Sequence, residues 1–169
     1  AIAGGLVAAN LLCDQLFNDD EILEMAATIE GHPDNVVAAL NGGIQLVVTD
    51  QNKLYTAPIN VIPEMTAVLY IPDFRIATSD ARAVLPDKVS MKDAVYNVGR
   101  AALLLTSMAT NRPEYLRLAT QDRIHQPYRH TLFPAMESLF KAAIDAGALG
   151  VFLSGSGPTV LAFTKGREM

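Results

Sequence analysis

The chain has 169 residues, 50% of them hydrophobic, and its 18 acidic against 13 basic side chains leave a net charge of -5. This composition can bury a core for one good-sized domain or two small ones, and the dispersed basic residues argue against a nucleic-acid partner. No apolar run approaches the roughly 18 to 20 residues that span a membrane, so we expect no membrane association. The single cysteine, Cys13, cannot form an internal disulfide, which favours a cytoplasmic location.

Helical spacing and turn signals divide the first 60 residues into three helices and a β-hairpin. An apolar stretch over residues 2–17 predicts a buried helix, and Asn18 with Glu21 predicts a capping box at the start of the next helix. A third, short helix ends at Gly42 and Gly43. The buried face expected of the second helix is formed by Ile22, Leu23, Ala26, Ala27 and Ile29. The expected hairpin has strands over 44–49 and 54–57 around a turn at 50–52.

The rest of the chain predicts further strands among long helices. A strand over 65–71 precedes a loop with a short helix over 72–86, and a long helix begins at Ser90 and ends before Pro113. The core stripe expected of this helix is Ala94, Val95, Val98, Ala102, Leu105 and Met108. The remaining elements are a helix over 113–122, a polar interruption over 123–130, a helix over 134–146, and strands over 149–153 and 159–163. An antiparallel arrangement is expected for the two strands over 44–49 and 54–57.

The chemically densest stretch is Glu30-Gly31-His32-Pro33-Asp34-Asn35. Pro33 suits the first position of a helix, so Asp34 and Asn35 should lie in the first turn beside N–H groups that can face an anion. The same residues are common helix caps, which the helix dipole alone favours. Glu24, on the polar side of the preceding helix, is either a solvated surface glutamate or a carboxylate aimed at a site. These alternatives stay open from the residues alone.

Other polar residues offer less decisive chemistry. Arg82 and Arg129, from separate loops, can together bind a small carboxylate, although ordinary ion pairs would account for them as well. His125 and His130 lack the spacing of a zinc site, and no standard phosphate-binding glycine motif occurs. The Gly-rich turn over 154–158 joins two strands and is not a nucleophile elbow. It is either a simple tight turn or a place where a backbone or ligand approaches closely.

Four segments occur in an order that is characteristic of one enzyme family. They are Glu30 to Val36 with Leu40-Asn41-Gly42-Gly43, then Thr78 to Pro86, Gln121 to Arg129, and Leu153 to Thr159. Together they resemble the homoserine kinase family of the GHMP kinase superfamily, over nearly the whole chain. The resemblance implies a GHMP-kinase-like α+β fold, with helices packed on a mostly antiparallel sheet and a ferredoxin-like C-terminal part. It also implies that residues 1–60 are the remainder of the N-terminal domain and residues 61–169 a truncated C-terminal domain.

The resemblance implies Mg²⁺-dependent transfer of the ATP γ-phosphoryl group to the side-chain hydroxyl of L-homoserine, giving O-phospho-L-homoserine for threonine biosynthesis. Glu24 matches the family's magnesium carboxylate. His32, Asp34 and Asn35 match residues near the acceptor hydroxyl and the transferring phosphate, with Asp34 as the candidate base. His32 and Thr78 are expected to serve both catalysis and substrate binding.

Thr78, Arg82 and Arg129 match positions around the amino-acid substrate, and the two arginines are expected to face its carboxylate. The family's phosphate loop, Pro-x-x-x-Gly-Leu-Gly-Ser-Ser-Ala, does not occur in the sequence. We therefore expect a fragment that is inactive by itself and holds no direct nucleotide ligand. Gly155 and Gly157 are expected to support the phosphate loop rather than bind the cofactor.

Two other functions stay open at this point. A different GHMP kinase, such as a mevalonate-type enzyme, would also use paired arginines because mevalonate carries a carboxylate. A non-catalytic binding module on the same scaffold is the second alternative, since a fold does not fix a function. The expected partner is a small molecule, and a homodimer is left open.

Overall fold

The computed structural model describes residues 1–51 and 53–166, and the chain divides into two compact units, Ala1–Val61 and Ile62–Met169. The elements of the first unit are α1 (Ile2–Leu12), α2 (Asp19–Glu30), α3 (Asp34–Asn41), β1 (Ile44–Asp50) and β2 (Lys53–Ile59). Those of the second unit are β3 (Met65–Tyr70), α4 (Thr78–Ala83), α5 (Met91–Ala109), a 3-10 turn (Pro113–Tyr115), α6 (Leu116–Ala119), α7 (Gln126–Arg129), α8 (Met136–Asp145), β4 (Gly150–Leu153) and β5 (Val160–Lys165).

Each unit holds an antiparallel sheet, which confirms the predicted α+β class. In the first unit β1 pairs with β2, with Ile44 opposite Ile59. In the second unit the strand order is β3-β5-β4, and both pairings are antiparallel. Asn52, in the predicted hairpin turn, lies outside the described residues. No helix in the described ranges is both long and apolar enough to cross a membrane.

The first unit packs α2 and α3 together through Leu23, Ala26, Val36 and Val37. Helix α2 begins as predicted, because the Asn18 side chain accepts from the Glu21 N–H and the Glu21 carboxylate accepts from the Asn18 N–H. The prediction for Ile29 was wrong, since this residue is 60% exposed at the last turn of the helix.

Helix α1 differs from its prediction in length and burial. It ends at Leu12, five residues early, because the Asn10 side chain bonds both the N–H and the carbonyl of Phe17 and folds the chain back. None of its residues is buried, since only Ile2 and Leu6 reach the core of α2 and α3. Cys13, which lies within the stretch predicted to be a buried helix, is exposed beyond the helix end.

The second unit packs α8 against β4 and β5. The apolar residues of α8 recur at helical spacing and form one face, namely Met136, Leu139, Phe140, Ala143 and Ile144. This face meets the buried side chains of Val151, Leu153, Val160 and Ala162. The sheet thereby gains a helical cover on one face, and the loop over 154–158 closes the β4–β5 hairpin beside it.

The core stripe predicted on α5 was partly wrong. Met108 is buried, but Val95 and Val98 are 64% and 71% exposed. The neighbouring face instead carries Tyr96 and Asn97, which hydrogen-bond to side chains in the segment after α6. The pattern of apolar residues therefore predicted the helix correctly, but it did not predict which face of the helix is packed.

A substitution at Gly150 tests the packing of β4 against α6. A Cβ at this position would lie 2.8 Å from the Leu116 carbonyl oxygen and 2.9 Å from Thr120 Cγ2. We expect Gly150→Ala to lower the free energy of unfolding by about 1–3 kcal/mol, because the contact includes backbone that must move. Urea denaturation of the full-length gene product measures this value.

The matched control is Gly99→Ala within α5, where an added Cβ meets nothing within 4 Å. This variant should be neutral or more stable by up to about 1 kcal/mol, since alanine favours a helix over glycine. Equal effects of the two substitutions would contradict the close approach of β4 to α6.

Candidate functional site

In the first unit, the polar turn between α2 and α3 positions its side chains by backbone geometry. Gly31 ends α2 in the left-handed conformation, at φ 82°, which glycine adopts without strain. Pro33, predicted to be the first helical residue, is instead the N-cap residue of α3, so the helix begins one position later, at Asp34. Asp34 and Asn35 lie in the first turn as expected. The Asp34 carboxylate accepts from the Asn35 N–H at 2.8 Å.

His32 and Asp34 are close together. His32 Nδ1 lies 3.1 Å from Asp34 Oδ1, and the two side chains are 31% and 69% exposed. The Nδ1 atom is buried, and it makes no hydrogen bond of good geometry within the described ranges. The pair thus offers an imidazole with an unused ring nitrogen next to a solvent-accessible carboxylate.

Glu24 and His32 line the same groove of the first unit. This groove has a volume of about 460 Å³ and is also lined by Ala27, Thr28, Gly31, Pro33, Thr49 and Leu54. The described residues hold no cluster of three or more metal-binding side chains. A single carboxylate such as Glu24 suits Mg²⁺, which is commonly held by one or two carboxylates together with substrate phosphates and water.

In the second unit, Arg129 is a buried charged residue, at 8% exposure. Its Nε donates to the Ala81 carbonyl at 3.2 Å, and its Nη1 donates to the Gly155 carbonyl at 3.4 Å. Nη1 also lies 2.6 Å from His125 Nδ1. The guanidinium therefore connects α4, α7 and the Gly-rich hairpin loop.

Thr78 and Arg82 are exposed on α4, which also contains the fully buried Ala81. Burial lowers the pKa of the Arg129 guanidinium, Asp122 opposes this shift, and the positive charge of Arg82 lowers it further. The two arginines thus interact electrostatically. The structure brings together Arg82, Arg129 and Gly155, all of which the resemblance singled out.

The hydrogen bonds that hold α7 in place were missed by sequence reasoning. The Asp122 carboxylate accepts from Asn97 Nδ2 at 2.6 Å and from the N–H groups of His125 and Gln126 at 2.8 and 2.6 Å. Burial raises the pKa of Asp122, but these hydrogen bonds outweigh it and the net shift is downward. The signal for this cap was an aspartate just ahead of a Pro-containing first turn. We expected Asp122 to end the helix over 113–122 and residues 123–130 to be irregular, whereas α6 ends at Ala119 and α7 lies within 123–130.

Gln126 joins α7 to the sheet. It is 6% exposed, and its Oε1 accepts from the Leu153 N–H at 2.8 Å. Its Nε2 donates to the Thr120 carbonyl at 3.4 Å. The position of Arg129 at the end of α7 is thereby fixed relative to β4.

A separate cavity of about 340 Å³ lies beside α6 and α8, and no residue predicted for the site lines it. Two of its polar residues already have partners in the protein. The Arg123 guanidinium lies over the Tyr96 ring and 3.6 Å from an Asp93 oxygen, and Asp122 caps α7. The candidate functional residues therefore lie in the polar turn of the first unit and around Arg129 in the second unit, and not in this cavity.

Comparisons of the sequence with known proteins show what the chain is similar to. Residues 100–168 match the family described as GHMP kinases C terminal. The sequence is 46% identical to a homoserine kinase of Clostridium beijerinckii over 167 residues, which are 99% of this chain and 56% of that protein. It is 46% identical to one of Caldanaerobacter subterraneus over 164 residues, which are 97% and 53%. The chain spans about half the length of the curated relatives it matches.

Solved structures agree with these matches. A homoserine kinase from Cytophaga hutchinsonii superimposes with a TM-score of 0.91 at 31% identity, over 98% of this chain and 54% of that one. The L. major mevalonate kinase gives a TM-score of 0.77 at 18% identity, over 99% and 56%, and shows the shared fold alone. The fold is therefore shared with homoserine kinases. Residues 100–168 match the C-terminal family of the GHMP kinases, and nearly the whole chain is similar to homoserine kinases over about half of their length.

Proposed function

We propose that the full-length gene product is a homoserine kinase, which transfers the γ-phosphoryl group of ATP to the side-chain hydroxyl of L-homoserine in threonine biosynthesis. The observation that carries this proposal is the environment of Arg129. The hydrogen-bond partners of its buried guanidinium among the described residues are carbonyls and an imidazole, not a carboxylate. A buried charge is costly unless it is paired, so this position favours an anionic ligand such as an amino-acid carboxylate.

Arg82 and Arg129 have different roles in this proposal. Arg82 is exposed and carries a mobile, charged fork that can bind a carboxylate directly. Arg129 is fixed by its contacts to Ala81 and Gly155 and adds a positive charge at a set position. Thr78, at the start of the same helix as Arg82, supplies a hydroxyl for the polar part of the substrate.

The residues of the first unit are assigned to the phosphoryl group. Glu24 would hold Mg²⁺, which neutralises the charge of the phosphate oxygens when it is bound. Asp34, exposed beside His32, is the candidate base for the acceptor hydroxyl, and Asn35 presents an amide in the same turn. ATP and Mg²⁺ are thus the proposed cofactors, and Gly155 and Gly157 support their site without contacting them.

The remaining expectations belong to the same proposal. We assign residues 1–60 to the N-terminal kinase domain and residues 61–169 to the C-terminal one. The proposal also includes a small-molecule substrate and a cytoplasmic location. A mevalonate-type kinase is the second candidate, because the fold of a mevalonate kinase is shared and its substrate also carries a carboxylate.

The substrate proposal predicts the outcome of an acceptor panel. The full-length gene product, assayed with Mg²⁺ and ATP, should phosphorylate L-homoserine with a larger kcat/KM than mevalonate, L-serine or L-threonine. The relevant measurement is ADP release, with phosphorus NMR to identify the product. A larger kcat/KM with mevalonate would contradict the proposal and favour the second candidate.

Arg82→Ala should raise the KM for homoserine about 10- to 100-fold with a smaller change in kcat, because a charge-assisted hydrogen bond to the substrate is lost. Steady-state kinetics measures both values. Arg75→Ala is the matched control, since Arg75 is another exposed arginine in the segment before α4 and has no assigned role. A similar increase in KM for both variants would show that general charge, rather than a specific contact, attracts the substrate.

Glu24→Gln and Asp34→Asn separate the metal ligand from the candidate base, since each replaces a carboxylate by an amide of equal size. Glu24→Gln should raise the Mg²⁺ concentration needed for half-maximal activity, because a hard cation prefers a carboxylate. Asp34→Asn should lower kcat by about 10²–10⁴-fold and leave the Mg²⁺ dependence unchanged. If kcat of the Asp34 variant stays near the wild-type value, Asp34 is not a base.

A further inference from the structure

The contact between His125 and Arg129 determines which ring nitrogen of His125 carries the proton. Arg129 Nη1 lies 2.6 Å from His125 Nδ1. A guanidinium has donors and no acceptor, so Nδ1 must accept this hydrogen bond and cannot carry a proton. The imidazole is therefore neutral, with its proton on Nε2.

Asp122 favours the same tautomer from the other side of the ring. Its Oδ1 lies 3.8 Å from His125 Nε2, and its side chain is 6% exposed. The carboxylate is fixed by the N–H groups of the first turn of α7. A negative charge at this place stabilises the Nε2–H proton, so the three side chains form a series from carboxylate to imidazole to guanidinium.

Among the described residues, Arg129 has three hydrogen-bond partners, and His125 alone of these can change its hydrogen-bonding character. The other two are the carbonyls of Ala81 and Gly155, which accept at every pH. These hydrogen bonds use Nε and Nη1 of Arg129, so Nη2 can donate to a ligand.

We propose that His125 is a positioning residue of the carboxylate site: as a neutral acceptor from Arg129 Nη1, it fixes the orientation in which Arg129 binds the substrate carboxylate. This inference rests on the proposed function, because it assigns a carboxylate to Arg129. His125 has no contact with the transferring group in it, so its effect reaches the reaction only through the affinity for the acceptor.

Protonation of His125 would remove this arrangement. The titratable groups that face the ring are Asp122, before α7, and Arg129 on α7, while Arg82 on α4 acts on Arg129. A cationic imidazole loses its acceptor and adds a third positive charge next to the two arginines. Burial and Arg129 lower the pKa of His125, Asp122 raises it, and the net shift is below the ordinary 6.5. Affinity for the substrate should therefore persist at neutral pH and weaken as the pH falls through the lowered pKa of His125.

The test compares His125→Ala and His125→Asn in the full-length gene product between pH 5 and 8. At neutral pH, His125→Ala should raise the KM for homoserine roughly tenfold, with kcat within a factor of about two and the KM for ATP unchanged. Asn carries an oxygen that accepts like Nδ1 but does not titrate, so His125→Asn should restore most of the affinity. It should also abolish the increase in KM that the wild type shows at acid pH. His130→Asn, five residues further on, is the control and should behave as the wild type.

A measurement independent of activity detects the hydrogen bond between His125 and Arg129 directly. The ¹⁵N chemical shifts of the His125 ring should show an unprotonated Nδ1 and a protonated Nε2 at neutral pH. A protonated Nδ1, an unchanged KM in His125→Ala, or an acid increase in KM that persists in His125→Asn would each overturn the inference. Failure of the wild type to phosphorylate homoserine would instead contradict the proposed function, and the ring shifts would still decide whether His125 accepts from Arg129.

Discussion

The buried guanidinium of Arg129 is the group on which the arrangement of the second unit depends. A charge removed from water must be compensated by well-placed acceptors, and Arg129 finds them on α4, on α7 and in the Gly-rich hairpin loop. Three segments distant in sequence thus converge on one side chain. Because the acceptors are neutral, the site keeps a positive charge, which is what recognition of an anion requires.

The hydrogen bonds around α7 explain how four residues of helix can place such a group accurately. An isolated helix of this length is not stable in water. Here Asp122 satisfies the N–H groups of its first turn, and Gln126 bonds the end of β4. The scaffold thereby fixes this short helix by side-chain contacts rather than by its own backbone hydrogen bonds.

In the polar turn of the first unit, by contrast, local backbone geometry is enough to bring the polar side chains together. Gly31 closes α2 in a conformation that glycine favours, and Asp34 begins α3 next to His32. The polar residues therefore come together within a few positions of the chain. This is why the sequence alone located the turn, and why it could not tell a helix cap from a catalytic group.

The sequence by itself determined most of the elements, because capping residues, helical periodicity and β-rich runs are local signals. The capping box of Asn18, the β1–β2 hairpin and the helix α8 all appear where expected. The motifs also predicted the resemblance to homoserine kinases, which the comparisons confirm. Only the tertiary structure decided the exposed side of α1, the packed face of α5 and the partners of Arg129. Those depend on which surfaces meet across long stretches of chain, and the acceptors of Arg129 include two backbone carbonyls, which no residue pattern can reveal.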